Sequence, residues 1–170
     1  SKMFVLFKFE EEFYKQRLIP TTCVGHPLID LVKPTLEKQE FLEFFRISPD
    51  KKIIALLPGS RIQEIRLILP LMLKAAKIIN KTIPQTQFII AKAPNLDTQI
   101  YQDECRKFNL DLKVIEGRTY DCLNMAEASM VCSGTATLEA AIIQKPFAIV
   151  YKTNILNYLL YRPQVKIPYI

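Results

Sequence analysis

Ile53-Ile54-Ala55-Leu56-Leu57-Pro58-Gly59-Ser60-Arg61 is an apolar run that stops at a small-residue turn, and a helical pattern opens directly behind it. Ser129-Met130-Val131-Cys132-Ser133-Gly134-Thr135-Ala136-Thr137-Leu138-Glu139 repeats the arrangement later in the chain. A strand that feeds a helix through such a turn aims backbone N–H groups and the positive end of the helix dipole at one point in space. Phosphate is the commonest guest at such a point. Two junctions of this kind in one α/β unit point to a nucleotide or sugar-nucleotide site.

The pattern around the first junction is regular. Strands are expected at 53–57, 87–91, 112–115, 129–132 and 147–151, with helices at 62–80, 96–108, 121–127, 135–143 and 154–161. Pro70 is expected to break or restart the first of these helices. The strands are short, apolar and not alternating, as in strands buried on both faces. Strands alternating with helices give right-handed βαβ units and a parallel sheet. The fold class predicted for 49–170 is therefore α/β, a doubly wound, Rossmann-like parallel sheet. Ahead of it the pattern predicts a strand at 3–9, a helix at 10–17 with Glu10, Glu11 and Glu12 in its first turn, and a brief strand at 21–24. A turn at Gly25-His26-Pro27-Leu28 and a helix at 35–46 follow. Residues 1–48 read as the end of another domain plus a connector.

The chain has 170 residues, of which 49% are hydrophobic and 24% charged, enough for a sizeable core without disulfides or metal. Its net charge is +6, unevenly spread: no acidic residue follows Glu139, whereas Lys145, Lys152, Arg162 and Lys166 do, mixed with Tyr151, Tyr158, Tyr161 and Tyr169. That stretch reads either as a solvated basic face or as a surface for anionic lipid or phosphate. No nucleic-acid partner is expected. Cys23, Cys105, Cys122 and Cys132 form no CxxC pair, and with a single histidine they do not suggest zinc. They fit a reducing compartment, with Cys132 as a small core residue at a strand end. No signal-peptide pattern and no apolar run of 18 residues is present, so no membrane-spanning segment is expected. Both ends are abrupt, and a fragment of a longer protein is expected.

In the first junction, Gly59 permits a tight turn, and Ser60 with Gln63 reads as a capping box. Capping does not require Arg61. A guanidinium beside a helix start suits bidentate pairing with a diphosphate. The turn is not a P-loop, because the Gly-Lys-Ser/Thr element is missing. In the second junction, Gly134 and Thr135 open the helix and Glu139 lies about one turn in. There it is either an ordinary surface residue or an acceptor for ribose hydroxyls. Gly117-Arg118-Thr119-Tyr120 follows the strand at 112–115 and faces the same carboxyl edge of the sheet, where ligands of such folds bind. His26 reads as structural, with Asp30 within reach of a hydrogen bond. No base–nucleophile pair is evident, and the catalytic residues are unassigned.

These residues resemble a known family. Leu57-Pro58-Gly59-Ser60-Arg61 with Glu64-Ile65 is similar to the nucleotide-binding turn of the lipid-A-disaccharide synthases, and Ser133 to Ala140 is similar to their second signature. Phe9-Glu10 through Phe13-Tyr14, then Val24-Gly25-His26-Pro27-Leu28 and Asp30, resemble the family's domain-crossing stretch. Tyr151-Lys152 and Lys166-Ile167-Pro168-Tyr169-Ile170 fit as well. The chain departs from the family at Leu6-Phe7-Lys8-Phe9-Glu10, where Leu-Pro-Phe-Glu is usual, which bears on where the local strand ends.

The resemblance implies a type B glycosyltransferase of two Rossmann-like domains, this chain being its donor-binding half together with the end of the acceptor half. The implied donor is UDP-2,3-diacylglucosamine and the acceptor 2,3-diacylglucosamine 1-phosphate (lipid X), joined into a β-1,6-linked lipid A disaccharide with release of UDP. No metal or organic cofactor is implied. Arg61 is placed on the diphosphate with Gly59 and Ser60 in the supporting turn, Glu139 on the ribose, Gly134 and Thr135 near the phosphates, and Gly117 and Arg118 around the uracil. The location implied is cytoplasmic, peripheral at the inner-membrane surface. Most of the acceptor domain is missing from the sequence, so the chain alone is expected to bind donor weakly and not to turn over. The missing portions of the same enzyme are expected partners. Another UDP-sugar transferase or epimerase, or an inactive split-gene remnant, are the alternatives.

Overall fold

The computed structural model describes residues 2–152. The helix expected at 154–161 and most of the basic, tyrosine-rich stretch lie outside them. The chain divides into two compact units between Lys33 and Pro34.

In the first unit, β1 (Met3–Val5) and β2 (Thr21–Cys23) pair in parallel, with Met3 opposite Thr21. The crossover is α1 (Lys8–Lys15), and α2 (Leu28–Leu31) follows β2. The strand expected to reach residue 9 stops at Val5. Its cause is Glu10, whose carboxylate accepts the N–H groups of Leu6 at 3.2 Å and Phe7 at 3.0 Å. Those amides cap a helix start instead of extending a strand.

The second unit opens with α3 (Lys38–Phe44) and continues as β3 (Lys52–Leu57), α4 (Ile62–Thr82), β4 (Thr86–Lys92), α5 (Thr98–Cys105), β5 (Leu112–Glu116), α6 (Thr119–Met125), β6 (Ala128–Cys132), α7 (Thr135–Ile143) and β7 (Phe147–Val150). The five strands form one parallel sheet in the order β5-β4-β3-β6-β7. This is the doubly wound α/β arrangement that the alternation of segments implies. Alternate residues of the central strand serve opposite faces. Ala55 and Leu57 pack with Ile89, Cys122, Leu123 and Ala140 on one side. Leu56 packs with Ile90, Ile68, Leu69, Met72 and Tyr101 on the other.

Pro70 does not break α4, which runs unbroken from Ile62 to Thr82. An internal proline costs about 3 kcal/mol. Against it stand six buried side chains, Ile65, Ile68, Leu69, Met72, Leu73 and Ala76, along one stripe of the helix. Burial of each large apolar side chain contributes roughly 1.5–3 kcal/mol, so the packing wins.

The expected boundary at 48/49 also moves. Phe41, Leu42 and Ile47 are buried in the core of the second unit, so α3 belongs to it. The connector is fastened by Asp121, 3% exposed. Its carboxylate accepts the N–H of Thr35 at 2.6 Å, the N–H of Leu36 at 3.0 Å and the Thr35 hydroxyl at 3.1 Å. Arg118 donates to the Thr35 hydroxyl at 2.8 Å and stands 3.7 Å from Asp121.

Asp121→Ala leaves two amides of the connector without their acceptor and is expected to destabilise the protein by about 3 kcal/mol. Urea unfolding checks this, and a wild-type midpoint would contradict the fastening. Burial, reinforced by neighbouring carboxylates, pushes the thiols of Cys122 and Cys105 up to about 12 and about 11. At pH 8 both remain protonated thiols, so they are expected to resist alkylation in the native protein and to react fully in guanidinium. Rapid labelling of either in the folded protein, read by mass spectrometry, would show the packing to be wrong.

Candidate functional site

The chain leaves β3 for β4 on one side of the sheet and returns to β6 on the other. The sheet order therefore reverses between β3 and β6, and their carboxyl ends open a crevice where ligands of open α/β sheets bind. A cleft of about 410 Å³ lies there. Gly59, Ser60, Arg61 and Glu64 form one wall, and Gly134, Thr135 and Glu139 the other, with Thr119 and Pro94 at its margin. Six of the eight residues singled out in the sequence are thus brought together. A larger groove of about 580 Å³ beside α3, lined by Leu42, Ile47 and Pro49 among others, includes none of the eight residues and no residue from the carboxyl ends of the strands.

At the first wall the cap differs from the sequence expectation. The first residue outside α4 is Arg61, with extended backbone, and Glu64 rather than Gln63 reaches back. The Glu64 carboxylate accepts the N–H of Ser60 at 2.9 Å and of Arg61 at 3.3 Å. Its other oxygen accepts from the Arg61 guanidinium at 3.1 Å. Gly59 makes room for this. Its φ is +110°, and a Cβ there would overlap Glu64 Oε2 and lie 2.8 Å from the Glu64 Cβ. The amides of Ser60 and Arg61, immediately ahead of α4, are therefore already partnered within the chain, and the Glu64 carboxylate lies at the helix start. The Arg61 side chain, 82% exposed, is held by one solvent-facing ion pair, a weak tether that leaves it able to turn to a ligand.

The second wall is open. Gly134 precedes α7 with φ +153° and ψ −160°, a conformation reserved for glycine, and brings no side chain to cap the helix. Among the described residues no side chain accepts the N–H groups of Thr135 or Ala136. The Thr137 hydroxyl is spent on the Gly134 carbonyl at 2.7 Å. One turn further, Glu139 accepts a hydrogen bond from the Tyr120 hydroxyl at 3.2 Å. Cys132 lines the cleft between the walls, its thiol pushed up by burial and then by the nearby Glu64 carboxylate.

Gly117 and Arg118 fall outside the cleft wall. Gly117 turns the chain at φ +70°, and Arg118 points to Thr35 and Asp121. His26, in the first unit, stands 5.5 Å from the Phe7 ring, and its Nδ1 accepts the N–H of Leu28 at 3.2 Å, a turn-capping bond in place of one to Asp30. No cluster of residues suited to a metal ion occurs among the described residues. Sequence reasoning had Glu64 in the first motif and Tyr120 in the loop at the carboxyl edge, but gave neither a role of its own. The first was discoverable as an acid three residues beyond the N-cap; the second's contact with Glu139 had no signal in sequence spacing.

The whole chain, residues 1–170, matches the family described as lipid-A-disaccharide synthetase. It is 39% identical over 171 residues to the lipid-A-disaccharide synthase of Syntrophus aciditrophicus, covering 100% of this chain and 45% of that protein. It is 41% identical over 169 residues to the lipid-A-disaccharide synthase of Coxiella burnetii, covering 99% of this chain and 44% of that one. The chain thus spans about half the length of the curated relatives it matches. Among solved structures, Anabaena Alr3699/HepE in complex with UDP-glucose superposes with a TM-score of 0.52 at 12% identity, covering 92% of this chain and 46% of that one, a likeness of fold.

Gly59→Ala places a side chain at positive φ and against Glu64, and is expected to destabilise the protein by roughly 1–3 kcal/mol. Adding Glu64→Ala removes the overlap with Oε2 but keeps the Cβ–Cβ contact and takes away the acceptor of the Ser60 and Arg61 amides, so the double variant is expected to be no more stable than Gly59→Ala. Urea unfolding of both variants checks this; a Gly59→Ala variant as stable as wild type would mean the turn is not built this way.

Proposed function

The chain belongs to the lipid-A-disaccharide synthetase family, and on that premise we propose that it is the donor-binding part of a lipid A disaccharide synthase. The observation that carries this reading is the cleft itself: it is lined by the exposed guanidinium of Arg61, tethered to Glu64 alone among the described residues, and by an uncapped helix start at Gly134 and Thr135, with the carboxylate of Glu139 one turn away. A nucleoside diphosphate has the matching chemistry. Its phosphates suit the N–H groups and dipole of α7 on one side and a bidentate guanidinium on the other. Its ribose offers two hydroxyl donors to Glu139.

The roles divide unevenly between the walls. Because the Glu64 carboxylate sits on the amides of Ser60 and Arg61 and puts a negative charge at the α4 start, that wall supplies chiefly the guanidinium. Gly59, Ser60 and Glu64 hold the turn, and the α7 start receives the diphosphate. The Gly117–Arg118 loop shapes the uracil end through its neighbour Thr119, which does reach the wall.

The substrates proposed are UDP-2,3-diacylglucosamine as donor and lipid X as acceptor. The 6-hydroxyl of the acceptor forms the new bond to C1 of the donor, the C1–oxygen bond to UDP breaks, and the hydroxyl proton passes to a base that this chain has no evident residue to supply. Both lipids reside at a membrane surface, so the working location is cytoplasmic and peripheral at the inner membrane. No helix among the described residues is long and apolar enough to cross a membrane.

Calorimetry with UDP tests the reading. Wild type is expected to bind weakly, and Arg61→Ala and Glu139→Ala each to bind about tenfold or more weakly still, as loss of a charge-assisted contact requires. Unchanged affinity in both variants would remove the proposed site. A panel of UDP-sugars is expected to favour the 2,3-diacylglucosamine derivative over UDP-N-acetylglucosamine.

A further inference from the structure

Tyr120 lies off the cleft wall, half-buried in the first turn of α6, yet its hydroxyl reaches the one carboxylate that reads the ribose in the proposed site. We propose that Tyr120 is a positioning residue that holds the Glu139 carboxylate in the orientation needed to accept the ribose hydroxyls. The proposal rests on the donor-binding reading above and adds to it a residue that does not itself touch the ligand.

The geometry has three parts. The Tyr120 hydroxyl donates to Glu139 Oε1 at 3.2 Å, and Glu139 lines the cleft with Oε2 and the remaining lone pair of Oε1 still able to accept. The donor itself is anchored. Next along α6, Asp121 is buried and holds the Thr35 and Leu36 amides, so the first turn of the helix is fastened to the connector and Tyr120 projects from a fixed base. Tyr120 also stays a donor. Burial, then the adjacent Glu139 charge, pushes its phenol above the ordinary tyrosine value, so it remains protonated at neutral pH. A glutamate on a helix surface otherwise samples many rotamers, and a ligand must order it on binding. A bond from a neighbouring helix removes that ordering cost beforehand, as partners behind metal ligands do.

A staple between α6 and α7 with no bearing on the ligand would look the same in the structure, and ribose chemistry tells the two apart. Calorimetry compares UDP with 2′,3′-dideoxy-UDP on wild type, Tyr120→Phe, Glu139→Ala and the double variant. Wild type is expected to prefer UDP. Tyr120→Phe is expected to weaken UDP about threefold to tenfold, leave the dideoxy ligand unchanged, and add nothing once Glu139 is already Ala. Wild-type affinity for UDP in Tyr120→Phe, or equal losses for both ligands, would overturn the positioning role while the donor-site reading stands on Glu139→Ala. Full UDP preference in Glu139→Ala, or no binding of either ligand by the folded wild type, would instead overturn the donor-site reading, and the proposal with it.

Discussion

The cleft depends on how β3 is paired. It bonds to β4 on one edge and β6 on the other, all in parallel. Parallel neighbours require crossovers, and right-handed crossovers from a shared central strand send their helices to opposite faces of the sheet. The helices that follow β3 and β6 therefore diverge from the sheet edge instead of packing over it, and the space between their starts stays open. Burial of β3 and β4 against both layers fixes this. A register slip of one residue would trade Leu56 for Ala55 and turn every side chain of the strand toward the wrong helix layer.

Both helix starts face that space, yet they are not equivalent. The chain places a carboxylate of its own, Glu64, on the amides of Ser60 and Arg61 ahead of α4 and, among the described residues, places none on the first amides of α7. Two glycines make the difference. Gly59 lacks the Cβ that would exclude the Glu64 carboxylate, and Gly134 lacks the side chain that would cap α7. The result is one preorganised turn that presents a guanidinium and one receptive helix end opposite it. This division of labour follows from where the chain puts its own carboxylate, and not from the number of glycines or hydroxyls in each motif.

Much of this was legible in the residues, for identifiable reasons. Apolar runs bounded by Pro-Gly and Ser-Gly gave the strands of the sheet, and the periodic segments between them gave its helices, because both signals are local. Six of the eight candidate residues share the cleft because strand ends in a parallel sheet share an edge. The errors were of two kinds. Some turned on one competing local interaction, as where Glu10 takes the amides of Leu6 and Phe7, or Glu64 displaces Gln63 as the cap. Others needed contacts across the fold. Asp121 meets Thr35, and Tyr120 meets Glu139, by topology alone, so neither the early domain boundary nor the second line of the site had a signature in sequence spacing.

The charges in the cleft set how strongly it can hold a diphosphate. One cationic side chain, Arg61, stands among two carboxylates, Glu64 and Glu139. The helix ends add roughly half a positive charge each, and Glu64 already neutralises the one at α4. What remains for an anionic ligand is a guanidinium shared with Glu64, one helix end and a set of hydrogen bonds. The chain's net charge of +6 supplies a favourable long-range field, but at physiological salt that field decays within about 8 Å and helps arrival more than residence. A site with these terms holds a nucleotide loosely unless further donors close over it. Under the proposed donor-binding role those further donors lie outside this crevice, and a loose grip is what lets the spent nucleotide leave.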